Sequence, residues 1–417
     1  NATVSDITNQ TYTGSAITPS VTVKDGDTTL VKDTDYTVSY SNNVNAGTAT
    51  VTITGKGNYS GTKEVTFTIV SKSIANATVS DITNQTYTGS AITPSVTVKG
   101  GDTTLVKDTD YTVSYSNNVN TGTATVTITG KGNYSGTKEV TFTITEKSLA
   151  NVTVLEIANQ TYTGSAITPS ITVKDGDTTL VKDTDYTVSY SNNVNEGTAT
   201  VTITGKGNYS GTKEVTFTIV SKSLANVAVS SIANQIYTGS AITPSVTVKD
   251  GDTTLVKDID YTVSYSNNVN VGTATVTITG KGNYSGTKEV TFTIVSKSLA
   301  NATVSSIVNQ TYTGSAITPS VTVKDGDTTL VKDTDYTVSY SNNVNAGTAT
   351  VTITGMGNYS GTKEVTFTIV SKSLANATVS SIANQTYTGS AITPSVTVKD
   401  GSKTLVKDTD YTVSYSN

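Results

Sequence analysis

Four aspartates fall in two short polar stretches, Asp25 and Asp27, then Asp33 and Asp35, and all four return further along the chain. Several carboxylate oxygens held close together are what Ca2+ requires. The spacing fits no EF-hand loop, and Gly100 and Ser402 replace two of the four in other copies. Asp33 and Asp35 persist in every copy and are therefore the calcium candidates. Ordinary turn and strand-end aspartates are the preferred reading, so no cofactor is expected. A second candidate is Tyr59, with Tyr134, Tyr209, Tyr284 and Tyr359 at the same place in later copies. Each lies in a Gly-rich stretch between Asn and Ser, where an exposed ring could stack on a sugar. The preferred reading is a plug folded back onto the end of a β-sandwich, with the ring buried.

Lysine chemistry gives a third candidate. Lys32, Lys63 and Gln10 are of the right types for an isopeptide or ester crosslink, although Lys63 falls on an outward phase. Paired carboxylates could in principle hydrolyse a glycoside. Five or six copies of such a site on units this small would be implausible. The sequons Asn9-Gln10-Thr11 and Asn58-Tyr59-Ser60 matter only in a host that glycosylates asparagine.

Composition closes most other routes. The chain contains no His, Cys, Trp or Arg. Without His there is no Ser-His-Asp catalysis; without Cys there is no thiol nucleophile, disulfide or thiolate metal site. A net charge of −5 and the lack of Arg exclude a phosphate-reading surface, so nucleic acid is not a partner. The chain is not expected to be an enzyme. No apolar run approaches the length of a membrane span. Neither a signal peptide at Asn1 nor a sorting signal at Asn417 is visible, so an interior piece of a longer chain is expected.

The elements that must position these candidates are set by repetition. Asn-Ala-Thr-Val at Asn1 returns at Asn76, Asn151, Asn226, Asn301 and Asn376, with small substitutions and a period of 75 residues. This period is longer than a solenoid repeat and long enough for an independent small domain. The expected units are 1–75, 76–150, 151–225, 226–300, 301–375 and an incomplete 376–417, with the true phase left open. The last would need a longer chain, the favoured explanation, or strands from another chain.

Within a unit, apolar residues alternate with polar ones. Tyr36, Val38 and Tyr40 form one set, Ala49, Val51 and Ile53 a second, and Val65, Phe67 and Ile69 a third. This is the period of half-buried strands. No helical period is sustained. Asp25-Gly26-Asp27 reads as a hairpin turn. Six or seven strands per unit predict an all-β tandem array of small immunoglobulin-like sandwiches; a rolled β-grasp sheet is the alternative and would need a helix. Four tyrosines per unit supply much of the buried aromatic area.

Between units the chain runs Ile69 to Ala77 with no Gly or Pro, unlike a flexible linker. Ile74, and Leu149, Leu224, Leu299 and Leu374 after it, are expected to pack between neighbouring units and stiffen a rod. Six units at about 30 Å each would extend about 180 Å. Copies differ mainly at turns and outward positions: Ala46 becomes Thr121, Glu196 and Val271, and Lys56 becomes Met356.

The blocks YTGSAITPSVTV, DYTVSYSNN and AGTATVTITGKGNYSGTKEVTFTI resemble the tandem Ig-like repeats of bacterial, Gram-positive cell-surface and adhesin-type proteins. The resemblance covers the whole chain, once per repeat. It implies a secreted or surface-attached protein in which repeats lift a functional domain away from the cell. The expected function is therefore an extracellular structural stalk or spacer. The alternative is a multivalent array binding a carbohydrate or a host surface protein, with repetition multiplying weak affinity.

Overall fold

The computed structural model describes residues 1–416; Asn417, the last residue of the expected sixth unit, lies outside them. The chain is all-β and falls into two compact units, Asn1–Val220 and Ser221–Asn417, each built from the same 75-residue pattern.

The first repeat shows how the pattern works. Its strands are β1 (Thr3–Val4), β2 (Gln10–Thr11), β3 (Val23–Asp25), β4 (Thr28–Thr29), β5 (Tyr36–Ser41), β6 (Gly47–Gly55) and β7 (Thr62–Val70). One sheet runs β2-β7-β6-β5 and the other β1-β3-β4. The long antiparallel pair β6–β7 sets Ala49 opposite Phe67 and Val51 opposite Val65, while β5–β6 sets Tyr40 opposite Val51. One face of β6 is thereby apolar throughout. Ala49, Val51 and Ile53 are buried with Val23, Leu30, Tyr36, Phe67 and Ile69, and the intervening threonines face outward. Threonine and valine suit such a pleated, half-buried surface.

The turns follow from their residues. β3 and β4 are joined by the two-residue loop Gly26-Asp27, with Asp25 opposite Thr28. Gly26 has φ 61°, which a glycine in the first central position of a hairpin turn adopts without strain. Gly55 is required for a different reason: a Cβ there would lie 2.7 Å from the backbone nitrogen of Ser60. The stretch between β2 and β3 forms no strand. It is strapped down instead, because Tyr40 donates to the Pro19 carbonyl at 2.6 Å and Asn43 Nδ2 to the Ile17 carbonyl at 3.0 Å. On either side of it the strands are short, Gln10–Thr11 and Thr28–Thr29.

Among the described residues helical structure is limited to single 3-10 turns such as Leu149–Asn151, capped by the Ser148 side chain. The sixth repeat carries the three-stranded sheet of Thr378–Val379, Val398–Asp400 and Lys403–Thr404. Without counterparts of β6 and β7, Val379 is 59% exposed and Ile382 52%. That contrast shows where most of the burial in a complete repeat comes from.

Candidate functional site

The most structured feature outside the sandwich cores is the junction between consecutive repeats. The chain leaves β7 at Val70, passes Ser71 and forms a short strand, β8 (Lys72–Ser73). β8 pairs in parallel with Tyr134–Ser135 of the second repeat. Lys72 N donates to the Asn133 carbonyl and Ile74 N to the Ser135 carbonyl, each at 2.9 Å. The segment entering the second repeat is thus a strand of that repeat.

Ile74 follows from this pairing. It is 1% exposed and packs with Ala77, Val98, Leu105, Tyr111, Ile128 and Tyr134, all in the second repeat. Expected between repeats, it lies in the core of the downstream one, and Tyr12 of the first repeat is among the residues packed against that cluster. Leu149 and Leu299 occupy the same place in the third and fifth repeats, and Leu224 is 0% exposed. Leu374 is 45% exposed, for the reason given for the sixth repeat.

What meets across the junction is aromatic and polar. Tyr12 of the first repeat stands edge-on to Tyr134 of the second, with ring centroids 5.5 Å apart and planes at 77°. Tyr87 and Tyr209 repeat this geometry at the next junction, as do Tyr237 and Tyr359 in the second unit. Beside each ring pair an asparagine bridges back. Asn133 Oδ1 accepts from Ala46 N at 2.8 Å, and its Nδ2 donates to Asn45 Oδ1 at 3.1 Å. Asn208 does the same with Thr121 N and Asn120, and Asn358 with Val271 N and Asn270. Position 46 contributes its backbone N–H to this bridge, so Ala46, Thr121 and Val271 can each supply it, and the Thr121 hydroxyl adds a bond of 3.1 Å to Asn208 Oδ1. That explains why the copies vary there.

A charged latch completes the downstream side. Lys147 lies 2.6 Å from Asp175, whose carboxylate also accepts from the Tyr209 hydroxyl at 3.1 Å. Lys222, Asp250 and Tyr284 form the same trio, as do Lys297, Asp325 and Tyr359. In the second repeat Gly100 stands where the carboxylate would be. Burial, reinforced by the negative aspartate, favours the neutral phenol. It raises Tyr209 well above the usual tyrosine range and pushes Tyr359 up to about 12.

The other candidates do not form a site. The Tyr rings considered for sugar stacking are 9% exposed or less at Tyr134, Tyr209, Tyr284 and Tyr359, so their faces are occupied by protein; Tyr59 is half-buried. Asp35 Oδ2 accepts from Val31 N at 2.8 Å, and Asp33 adopts a left-handed φ of 65° in the same turn. A local turn role therefore accounts for their persistence. Among the described residues no group of three or more His, Cys, Asp or Glu is placed to hold a metal ion. Lys63 donates to the Ala2 carbonyl at 2.7 Å and Gln10 to the Thr8 carbonyl at 3.0 Å. Lys32 lies in an isolated backbone bridge to Tyr36. None of these contacts joins a lysine to Gln10. Among the described residues no helix is long and apolar enough to cross a membrane.

The junction residues Lys147, Asp175, Asn133 and Tyr12 were not singled out from sequence as one site. The signal available was the strict return of Lys-Ser before each Ile or Leu and of Asn-Tyr-Ser in each Gly-rich stretch.

No protein-family profile matches the chain, and no curated protein matches it. Solved structures that match the chain include the extracellular domain of protocadherin GammaB4, 11% identical, covering 80% of this chain and 72% of that one with a TM-score of 0.19. Sidekick-1 immunoglobulin domains 1–5 are 10% identical, covering 78% and 86% with a TM-score of 0.21. The human desmocollin-1 ectodomain is 10% identical, covering 78% and 85% with a TM-score of 0.15.

Proposed function

We propose that the chain is an extracellular spacer: a series of small sandwich repeats in a bacterial surface protein, joined so that the junctions within each compact unit are ordered. In this reading the repeat boundary falls after Val70, Thr145, Val220, Val295 and Val370, several residues upstream of the expected 75, 150 and so on. The observation that carries it is the parallel pairing of Lys72–Ser73 with Tyr134–Ser135. A linker that is itself a strand of the next repeat leaves little free chain at the joint. Burial of Ile74 adds about 1.5–3 kcal/mol to holding it there, and the Tyr12–Tyr134 contact and the Asn133 bridge restrict the angle.

The test is binding. The full chain is passed over arrayed glycans and host extracellular-matrix proteins, alongside chains shortened by one repeat at a time. A spacer gives no saturable signal at any length. A signal that falls steeply with each repeat removed would replace this reading with the multivalent array.

A further inference from the structure

We propose that the free edge of β5 is a self-association surface. β5 of one chain pairs antiparallel with β5 of a second copy, joining two four-stranded sheets into one continuous sheet. The inference does not rest on the spacer role.

β5 is the outer strand of its sheet, with β6 as its strand neighbour. Tyr36 turns its carbonyl away from β6, where it accepts from Asp33 N at 2.7 Å. Backbone groups alternate sides along a strand, so Val38 and Tyr40 also direct their N–H and C=O to the free side. Among the described residues no backbone bond reaches them there. Asp33 and Asn42, with left-handed φ of 65° and 55°, bound the open stretch. The same sequence, Tyr-Thr-Val-Ser-Tyr-Ser, forms this edge in every complete repeat. The other edges of the sandwich are short or charged. β1, β2 and β4 have two residues each. β7, beyond Ile69–Val70 that pair with β2, carries Lys63 and Glu64. Brevity and charge keep edges single. β5 has neither: its six residues include no Lys, Asp, Glu or Pro.

The strand is complementary to itself. In an antiparallel pair centred on Ser39, Val38 lies opposite Tyr40 of the second copy, and Tyr40 opposite its Val38. Each of these pairs exchanges two N–H···O bonds, and the contact closes on a two-fold axis. Ser39 meets its own counterpart and Thr37 meets Ser41. Asp35, just before the strand, meets Asn43 and no like charge. The half-buried Val38 and Tyr40 side chains gain cover on the inner face. A strand carrying a charge at its centre would set that charge against the serine face without a partner, so the identical neutral strand is the occupant this edge fits.

Sedimentation equilibrium of the full chain tests this, together with two variants. In one, Ser39 and its equivalents Ser114, Ser189, Ser264 and Ser339 are all replaced by lysine; in the other, all by glutamate. These serines are exposed, so the core is untouched. The average mass of the parent should rise with concentration above the 43.2 kDa of one chain. Each variant alone should stay at the single-chain mass, because like charges would face each other across a central pair with Cα atoms about 4.5 Å apart. An equimolar mixture of the two variants should associate again, since each central pair then joins lysine to glutamate. A misfolded variant could not be rescued by mixing. A parent that keeps the single-chain mass up to about 1 mM, variants that associate as the parent does, or a mixture that stays monomeric would overturn the proposal.

Discussion

Tyr12 and Tyr134 meet edge to face across the first junction, with ring centroids 5.5 Å apart and planes at 77°. The two rings belong to different repeats, and Tyr134 also belongs to the core that buries Ile74. One aromatic contact thus ties the angle of the joint to the integrity of the downstream sandwich. A double-mutant cycle of Tyr12→Leu and Tyr134→Leu in the full chain should give a coupling of about 0.5–1.5 kcal/mol. Denaturant unfolding followed at the second repeat measures it; additive effects would mean that the rings are neighbours without interaction.

Stability should pass in one direction along the chain. Leu149 follows the second repeat in sequence but is buried in the core of the third, with Val173, Tyr186, Phe217 and Ile219. Leu149→Ala should destabilise the third repeat by about 2–5 kcal/mol. The second repeat, whose buried cores do not include Leu149, should change little. Hydrogen exchange in the Phe217 and Phe142 strands reads the two repeats separately. Equal loss in both would contradict the assignment of the linker to the downstream repeat.

The second repeat lacks the carboxylate of the latch, because Gly100 stands where Asp175 stands in the third. Gly100→Asp should therefore give Lys72 a carboxylate partner and stabilise the second repeat. The effect is limited by exposure, since the Lys147 and Asp175 side chains are 37% and 20% exposed. A gain of up to about 1 kcal/mol is expected, shrinking in high salt. A Cβ at position 100 would meet Leu105 at 3.4 Å, an ordinary contact. Thermal unfolding in low and high salt checks both the sign and its screening.

Alkaline pH should loosen the junctions. The Tyr209 and Tyr359 phenols are kept neutral in the fold, first by burial and then by Asp175 and Asp325. The unfolded chain ionises its tyrosines near pH 10. Raised folded values therefore contribute stability that is complete below about pH 10 and lost as pH climbs through the folded values. For Tyr359 that window closes at about 12. The melting temperature should be flat between about pH 8 and pH 10 and fall beyond it; a melting temperature unchanged across the higher range would contradict the buried latch.

Much of the sandwich was legible because the information is local. Ala49, Val51 and Ile53 alternate with threonines, and that alternation alone fixes which face of β6 is buried. Gly26 marks its hairpin through its backbone freedom. The junction was not legible, because its meaning lies in pairing between distant residues. Ile74 is an apolar residue just beyond a strand, and only its register against Tyr134–Ser135 reveals which core receives it. Asn133 and Ala46 are 87 residues apart in sequence, beyond any periodic pattern within one repeat. The aspartate of the latch was visible but drew attention as a calcium ligand, because its lysine partner lies 28 residues upstream, before the expected start of the repeat.

Whether the linker is a strand of the next repeat decides the rest. Hydrogen-exchange mass spectrometry on the full chain reads this directly, following peptides that span Val70–Asn76 and Thr145–Asn151. The amides of Lys72, Ile74 and Lys147 are bonded to Asn133, Ser135 and Asn208, and they should exchange as slowly as those at the edge of the long sheets. Exchange at the rate of free chain would show the linker to be unpaired and would contradict the ordered junction on which the spacer reading stands.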